Sequence, residues 1–595
     1  MKSLAYINKY LLKYKFRLIF GLTFVFISNG FSVFLGPVTR KIIDFLDNSF
    51  KTYLKLQTAE AKTAFMGAFE MQLVWYGLLI LGTALLSGLF LYFQRQMIIG
   101  MSRYIEYDLK NEIYAHYQTL PLSFYRKNNT GDLMSRISED VGKVRMYLGP
   151  AIMYASNLVS LFIIIIPIMF MVNVKLTFYA ILPLPFLTVT IFLIHNLMQK
   201  KSTEIQRGLA RMSTYIQESF SGIRVIKAFV REKDSEERYL QAVDGYKVAS
   251  MSYTKINSLF FPLILMLTGL SAILIVYVGG GEVMEGRLTV GNIAEFMIYL
   301  NKLTWPVAAL GWITSMVQQA EASQKRINEF LNTKTDIVSV ADVKKDLDGD
   351  ISFENVSFTY PDSGINALKH ISFHINKGES LAIIGATGSG KSTIANLLCR
   401  LYDTSSGKIL VDGRDIKDYS LSSLRSQIGY VPQDVFLFSD TIRNNIAFGS
   451  DNITEEQIAE AAKDADFYNN IIDFPDKFET ILGERGITLS GGQKQRLSIA
   501  RAIVRKPRLL ILDDSLSAVD TKTENAILNN LERIMQNRTT LIISHRVSSA
   551  KLAHKIIVLD DGQLVEQGSH EELLAHNGAY RQLYQKQTEE ETEKA

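Results

Sequence analysis

A short apolar run, Leu381-Ala382-Ile383-Ile384, leads straight into Gly385-Ala386-Thr387-Gly388-Ser389-Gly390-Lys391-Ser392-Thr393. That is G-x-x-x-x-G-K-S between a predicted strand and a predicted helix, the setting in which a loop wraps phosphate. Gly385, Gly388 and Gly390 let backbone N–H groups converge on phosphate oxygens, and the N-terminus of the next helix adds favourable partial charge. Lys391 suits the β- and γ-phosphates, and the Ser392 hydroxyl suits Mg²⁺. A second apolar strand, residues 509–512, ends in Asp513, a carboxylate placed to hold the same ion directly or through water. Alone, a strand ending in Asp means little. Beside the loop it reads as the other half of a nucleotide site.

Those residues all lie in the second half of a chain of 595 residues, which has room for more than one packed unit. The apolar share of 47% is ordinary as an average, but the long charge-free stretches all fall in the first half. A helix rises about 1.5 Å per residue, so about 20 apolar residues cross a bilayer core. Residues 18–38, 73–93, 147–174, 176–197 and 256–281 meet that length, and 290–317 forms a weaker sixth span because it contains Glu295 and Lys302. The sequence thus predicts an α-helical six-span transmembrane domain followed by a soluble α/β domain. The net charge of +4 is small for this length and points to no nucleic-acid partner. The single cysteine, Cys399, excludes a disulfide framework and reads as a small buried side chain.

Lysine and arginine cluster before the first span and in the connections after spans two and four. The links after spans three and five offer only Lys175 and only Arg287. This asymmetry places both termini in the cytoplasm. The loop after span one disagrees, carrying Arg40, Lys41, Lys51, Lys55 and Lys62 against Asp44, Asp47, Glu60 and Glu70. The two basic connections are long and periodic, so the spans are predicted to run on as helices, with breaks at Leu120-Pro121-Leu122-Ser123-Phe124-Tyr125 and Ser219-Phe220-Ser221-Gly222. Further on, Ile351, Phe353, Val356, Phe358 and Tyr360 suggest a strand pair whose alternation slips once.

At Leu489-Ser490-Gly491-Gly492-Gln493 the sequence resembles the signature of ATP-binding cassette proteins. With Phe124-Tyr125, Thr130-Gly131-Asp132-Leu133, residues 222–227 and Gly483-Glu484-Arg485-Gly486, the resemblance to exporters with fused membrane and nucleotide domains extends over essentially the whole chain. It implies an α/β P-loop NTPase of the cassette type that takes ATP and Mg²⁺, and two cassettes closing head to tail around each nucleotide. It further implies that Tyr360 stacks on adenine, that Thr387, Ser389 and Thr393 share the loop's contacts, and that Ser490, Gly491, Gly492 and Gln493 reach the partner's ATP. Gln433 would touch Mg²⁺, His545 the γ-phosphate, and Asp520 would cross the dimer seam. The connection tips resemble coupling helices.

One position departs from the family pattern. Most members carry Glu after the strand-ending Asp, and here Asp514 stands in that place. A carboxylate there polarises the attacking water, a role worth roughly 10²–10⁴ in rate, and a displacement of about 1 Å can cost on the order of 10²-fold. Two readings follow: a heterodimer with one weakened site, which has the slight edge, or a homodimer in which Asp514 serves with His545. The expected domains are residues 1–317 for the membrane, 318–350 a linker, 351–586 the nucleotide-binding domain and 587–595 a charged, disordered tail. The expected setting is the cytoplasmic (inner) membrane, with a second half-transporter and an amphipathic small molecule or lipid as partners. For Glu295 and Lys302, a cavity role stands beside a plainer one, an interfacial glutamate and a lysine reaching water or another helix. Ser28, Asn29 and Asn157 read equally as helix–helix contacts. A soluble cassette ATPase would lack the spans, an importer would keep its cassette on another chain, and a channel would conduct without stoichiometric transport.

Overall fold

The computed structural model describes residues 2–339, 346–450, 452–483, 486, 489–515, 530–536 and 538–594. Two compact units divide the chain, Met1–Gln118 with Gly131–Thr333, and Thr119–Thr130 with Lys334–Ala595.

The first unit is built from six long helices: α1 (Lys15–Lys55), α2 (Ala59–Thr119), α3 (Thr130–Val172), α4 (Val174–Ser221), α5 (Glu232–Met284) and α6 (Val290–Leu331). The first five are long and apolar enough to cross a membrane, and only 22%, 0%, 22%, 39% and 11% of their apolar windows are buried within the protein. Apolar side chains turned outward in such numbers need lipid rather than water around them. The sixth helix is less apolar for a physical reason. Its Phe296, Tyr299, Leu300, Leu303 and Val307 pack into a core with Ile165, Met169 and Leu176, so it meets protein more than lipid.

Polar groups inside this unit pair across helices. Asn29 donates to Asn157 Oδ1 at 2.6 Å and Ser28 to the Ser87 carbonyl at 2.9 Å, which places Ser28, Asn29 and Asn157 in helix–helix contacts. Glu295 is 1% exposed and accepts from Tyr299 at 2.7 Å and Arg40 at 3.1 Å. Lys302 reaches another helix, donating to Ser32 at 2.5 Å. Lys175 and Arg287, the lone cations of their links, both donate to the buried Glu282, at 2.9 Å and 2.6 Å. The predicted breaks are present. Each helix yields to a short one, Leu122–Lys127 after Thr119 and Ile223–Ala228 after Gly222.

The second unit holds two sheets. Strands β1 (Ile351–Thr359), β2 (Asn366–Ile375), β4 (Ser406–Val411) and β5 (Arg414–Asp415) form an antiparallel sheet in the order β2-β1-β4-β5. The slipped alternation belongs to one strand. Between Phe353 and Val356 the register of β1 against β2 shifts, and Asn355 adopts φ 52°, so a bulge re-aims the apolar side chains inward. The other sheet runs β10-β9-β3-β8-β7-β6, from β3 (Ser380–Gly385), β6 (Ile428–Val431), β7 (Leu509–Asp513), β8 (Thr539–Ile543), β9 (Lys555–Asp560) and β10 (Gln563–Gly568). Cys399 is buried and free. The disordered tail is corrected. Helix α9 (Ala579–Lys594) continues into it, because its Gln, Glu and Lys residues are good helix formers and Gln587 is tied to the loop after β8.

Candidate nucleotide site

Strands β9, β3, β8, β7 and β6 are mutually parallel neighbours. Their C-terminal ends therefore share one edge of the sheet, the place where open α/β sheets bind ligands. From β3 emerges the loop 385–390, from β8 Ser544 and His545, from β7 Asp513 and Asp514, and from β6 Pro432 and Gln433. Four strands separated widely in sequence thus deliver the predicted chemistry to one edge.

The loop needs its glycines where the backbone crowds. At Gly390, φ is +99° and a Cβ would lie 2.3 Å from the Ala367 carbonyl oxygen; at Gly385 it would lie 2.1 Å from that of Leu559. Helix α7 (Lys391–Leu398) starts immediately after, directing the N–H groups of its first turn at the loop. Thr387 and Gly388 are exposed at the tip. The Ser389 Oγ is buried and has no hydrogen-bond partner among the described residues.

Lys391 is 5% exposed, and its ammonium donates to the Gly385 and Ala386 carbonyls at 2.8 and 2.7 Å. Burial lowers its pKa to about 8, against the pull of Asp514 and Asp513. Ser392 Oγ donates to Asp513 Oδ1 at 2.9 Å. Asp513 is 2% exposed, and burial raises its pKa to about 6 despite that hydrogen bond. A hydroxyl and a desolvated carboxylate side by side fit a hard cation, which would restore the charge balance that burial removes. Among the described residues no cluster of three or more His, Cys, Asp or Glu is present, so such an ion would draw its remaining ligands from phosphate and water.

Asp514 is buried at 8% exposure, takes the left-handed φ of 46°, and donates its N–H to the Ile543 carbonyl at 2.8 Å. Its Oδ2 accepts from Gln433 Nε2 at 3.4 Å. Burial, then the charge of Lys391, holds His545 below its ordinary pKa, which keeps a neutral ring available to share a proton. Tyr360 donates to or accepts from Thr393 at 3.0 Å and meets Phe358 and Tyr402 edge-on at 4.9 and 5.4 Å. Ser490 and Gln493 cap the helix α8 (Gly491–Ile503) reciprocally, through contacts of 3.3 and 2.9 Å. Gly491 and Gly492 form its first turn, and no hydrogen bond joins this turn to the phosphate loop among the described residues. Asp520, Glu484 and Arg485 lie outside the described residues.

Two contacts were not anticipated. The Arg126 guanidinium lies 5.2 Å from the Tyr360 ring centroid, inside the same compact unit. Gln587 Nε2 donates to the His545 carbonyl at 2.6 Å while its Oε1 accepts from Val547 N–H at 2.8 Å. Neither has a local sequence signal, because each joins residues far apart in the chain.

Comparison with known proteins matches the family model described as the ABC transporter transmembrane region over residues 18–307, and that described as ABC transporter over 368–517. The chain is 39% identical over 500 residues to a "Probable multidrug resistance ABC transporter ATP-binding/permease protein" of Bacillus subtilis (strain 168), covering 83% of this chain and 85% of that one. It is 36% identical over 521 residues to the ATP-dependent lipid A-core flippase of Syntrophus aciditrophicus (strain SB), covering 87% and 86%. Among solved structures, a bacterial Atm1-family ABC exporter with ATP bound superposes with a TM-score of 0.78 at 28% identity, covering 96% of this chain and 99% of that one.

Proposed function

The chain belongs to the ABC transporter family, in the form that joins the transmembrane region and the ATP-binding domain in one polypeptide, and from that membership we propose how its residues drive export. It is a multi-pass membrane protein that couples ATP to export across the membrane. Such half-transporters act as dimers, so the working unit pairs this chain with a second half.

The phosphate loop, from Gly385 through Gly388, Ser389 and Gly390 to Thr393 with Thr387 at its tip, holds the triphosphate. Lys391 exchanges its two carbonyl partners for phosphate oxygens. Tyr360 stacks on adenine. Ser392, Asp513 and Gln433 hold Mg²⁺, whose contribution is to neutralise charge on the phosphate oxygens. Asp514 polarises the attacking water and His545 contacts the γ-phosphate. Ser490, Gly491, Gly492, Gln493 and Asp520 act across the dimer on the partner's nucleotide, supported by the exposed position of the capped turn. ATP contributes contacts only when two cassettes close, and this bias opens the bundle outward until hydrolysis resets it.

Asp514 makes this chain's own site slow, and its partner is a different half-transporter. The observation that carries the nucleotide reading is the half-buried Ser392–Asp513 contact of 2.9 Å at the shared sheet edge. The domains follow as 1–317, 318–350, 351–586 and 587–595, with α6 running into the linker as far as Leu331. Both termini and the cassette face the cytoplasm from the inner membrane. The cargo is an amphipathic small molecule or lipid, as the names of the relatives suggest. The test is to reconstitute the chain alone and measure ATPase activity and export beside Asp514→Glu and Lys391→Ala. Low activity raised by Asp514→Glu is expected; full activity from the unmodified chain refutes the heterodimer, and export surviving Lys391→Ala refutes the mechanism.

A further inference from the structure

The charge-free stretches of α1 and α2 are residues 18–38 and 73–93, yet α1 continues to Lys55 and α2 begins at Ala59. Residues 39–55 and 59–72 thus extend roughly 20–25 Å past the span at 1.5 Å per residue. Along this extension Leu46, Phe50 and Tyr53 of α1 and Phe65, Met66 and Phe69 of α2, with the buried Ser49, line a cleft of about 450 Å³. Phe69 stacks on Phe45 at 5.5 Å and on Phe65 at 6.5 Å, which stiffens one wall. Phe50 and Leu54 remain 64% and 67% exposed. Apolar exposure is ordinary beside lipid, but outside the hydrocarbon layer it marks a binding surface.

The cations of this hairpin divide in two. Arg40 pairs with Glu295 and Lys51 with Asp47. Lys41, Lys55 and Lys62 enter no ion pair among the described residues, and the Lys62 ammonium lies 5.4 Å from the centroid of Tyr53, a residue of the cleft wall. Lys62 thus lies beside the wall of an apolar cleft and Lys55 two residues beyond Tyr53 of that wall, while Glu60 and Glu70 of the same hairpin offset part of their charge.

We propose that the α1–α2 cleft is an outer binding site for one long alkyl chain of an amphipath with an acidic head group, the acid lying against Lys55 and Lys62. The proposal rests on the orientation and the amphipathic cargo given above, and it adds a site and a head-group charge to them. A ligand held there has left the bilayer interior while its chain stays out of water. A second copy of the hairpin is the competing occupant, and the same experiment separates the two.

The full chain in phosphatidylcholine nanodiscs, without nucleotide, is photolabelled with diazirine-bearing palmitate and with the matching palmityl alcohol. Palmitate is expected to label peptides containing residues 46–53 and 65–69 at least fivefold more than the alcohol, since one lysine near a charged head group contributes about that factor. Phe50→Glu should abolish labelling by both probes. Lys55→Gln with Lys62→Gln should remove the preference while leaving alcohol labelling in place. Absence of label from these peptides, equal labelling of the unmodified chain by both probes, or cross-links to a second copy in place of probe overturns the proposal. Labelling requires no ATP turnover, so a failure of the transport reading shows in the Lys391→Ala assay and leaves this result untouched.

Discussion

Replacing Asp513 by Asn should stabilise the nucleotide-free cassette, and more so as pH rises. Asp513 is 2% exposed, and burial raises its pKa from 3.8 to about 6. Below about pH 3 the group is largely protonated in folded and unfolded chains alike and costs almost nothing. Between 3.8 and 6 the unfolded chain ionises first, so the folded cassette loses stability as pH rises, and the loss levels off about one pH unit above the folded value of about 6. The ceiling on that loss is about 3 kcal/mol at pH 8 and about 0.5 kcal/mol at pH 4. Asn keeps an acceptor for the Ser392 hydroxyl, so the 2.9 Å contact survives without the charge. Tryptophan emission cannot read this, because Trp75, Trp305 and Trp312 all lie in the membrane unit. Hydrogen exchange of the β3 and β7 amides can. Slower exchange in Asp513→Asn at pH 8, fading toward pH 4, is expected, together with loss of the protection that Mg²⁺ and ATP confer on the parent. Exchange at pH 8 equal to or faster than the parent's would refute the claim that a desolvated carboxylate awaits a cation there.

Three further outcomes follow from contacts around the same edge. Gln587→Ala frees the His545 carbonyl and Val547 N–H, so steady-state ATPase kinetics should show kcat down about tenfold, in keeping with a small misplacement, and KM little changed. Arg126→Ala removes a cation from the Tyr360 ring and, at about 0.5–1 kcal/mol for an exposed contact, should weaken ATP binding two- to fivefold. Calorimetry with tripolyphosphate, which has no base to stack, should show no change. Gly390→Ala places a Cβ 2.3 Å from the Ala367 oxygen at a φ of +99°, so titration calorimetry should find ATP affinity reduced more than tenfold in a chain that still folds.

The membrane half was legible to the extent that lipid sets the rules. Five spans announced themselves by length and absence of charge because most of their apolar surface faces outward. The sixth was faint for the opposite reason, since α6 packs against protein and keeps Glu295 buried between Arg40 and Tyr299. The Arg40–Glu295 pairing joins residues 255 positions apart, and no local pattern encodes it. The tail is charged, yet it is helical because its residues favour helix and Gln587 anchors it.

The gathering of the candidate site was legible because each strand end carries its own signal, and the parallel sheet does the rest. Once β3, β8, β7 and β6 lie side by side in register, a loop, a histidine, two aspartates and a glutamine written far apart must meet at one edge. What the motifs could not convey is the electrostatic state of that meeting. Lys391 pushed down to about 8 and Asp513 pushed up to about 6 are both penalised by burial, and each penalty is relieved by the charge that MgATP brings. Without nucleotide the edge is therefore less stable than its packing suggests, and on the proposed roles of Lys391 and Asp513 binding of MgATP is coupled to stability through these two groups. Asp514 enters this balance too, since its carboxylate lies close enough to act on both. If Asp514 polarises water as proposed, Asp514→Glu should shift affinity and hydrolysis together.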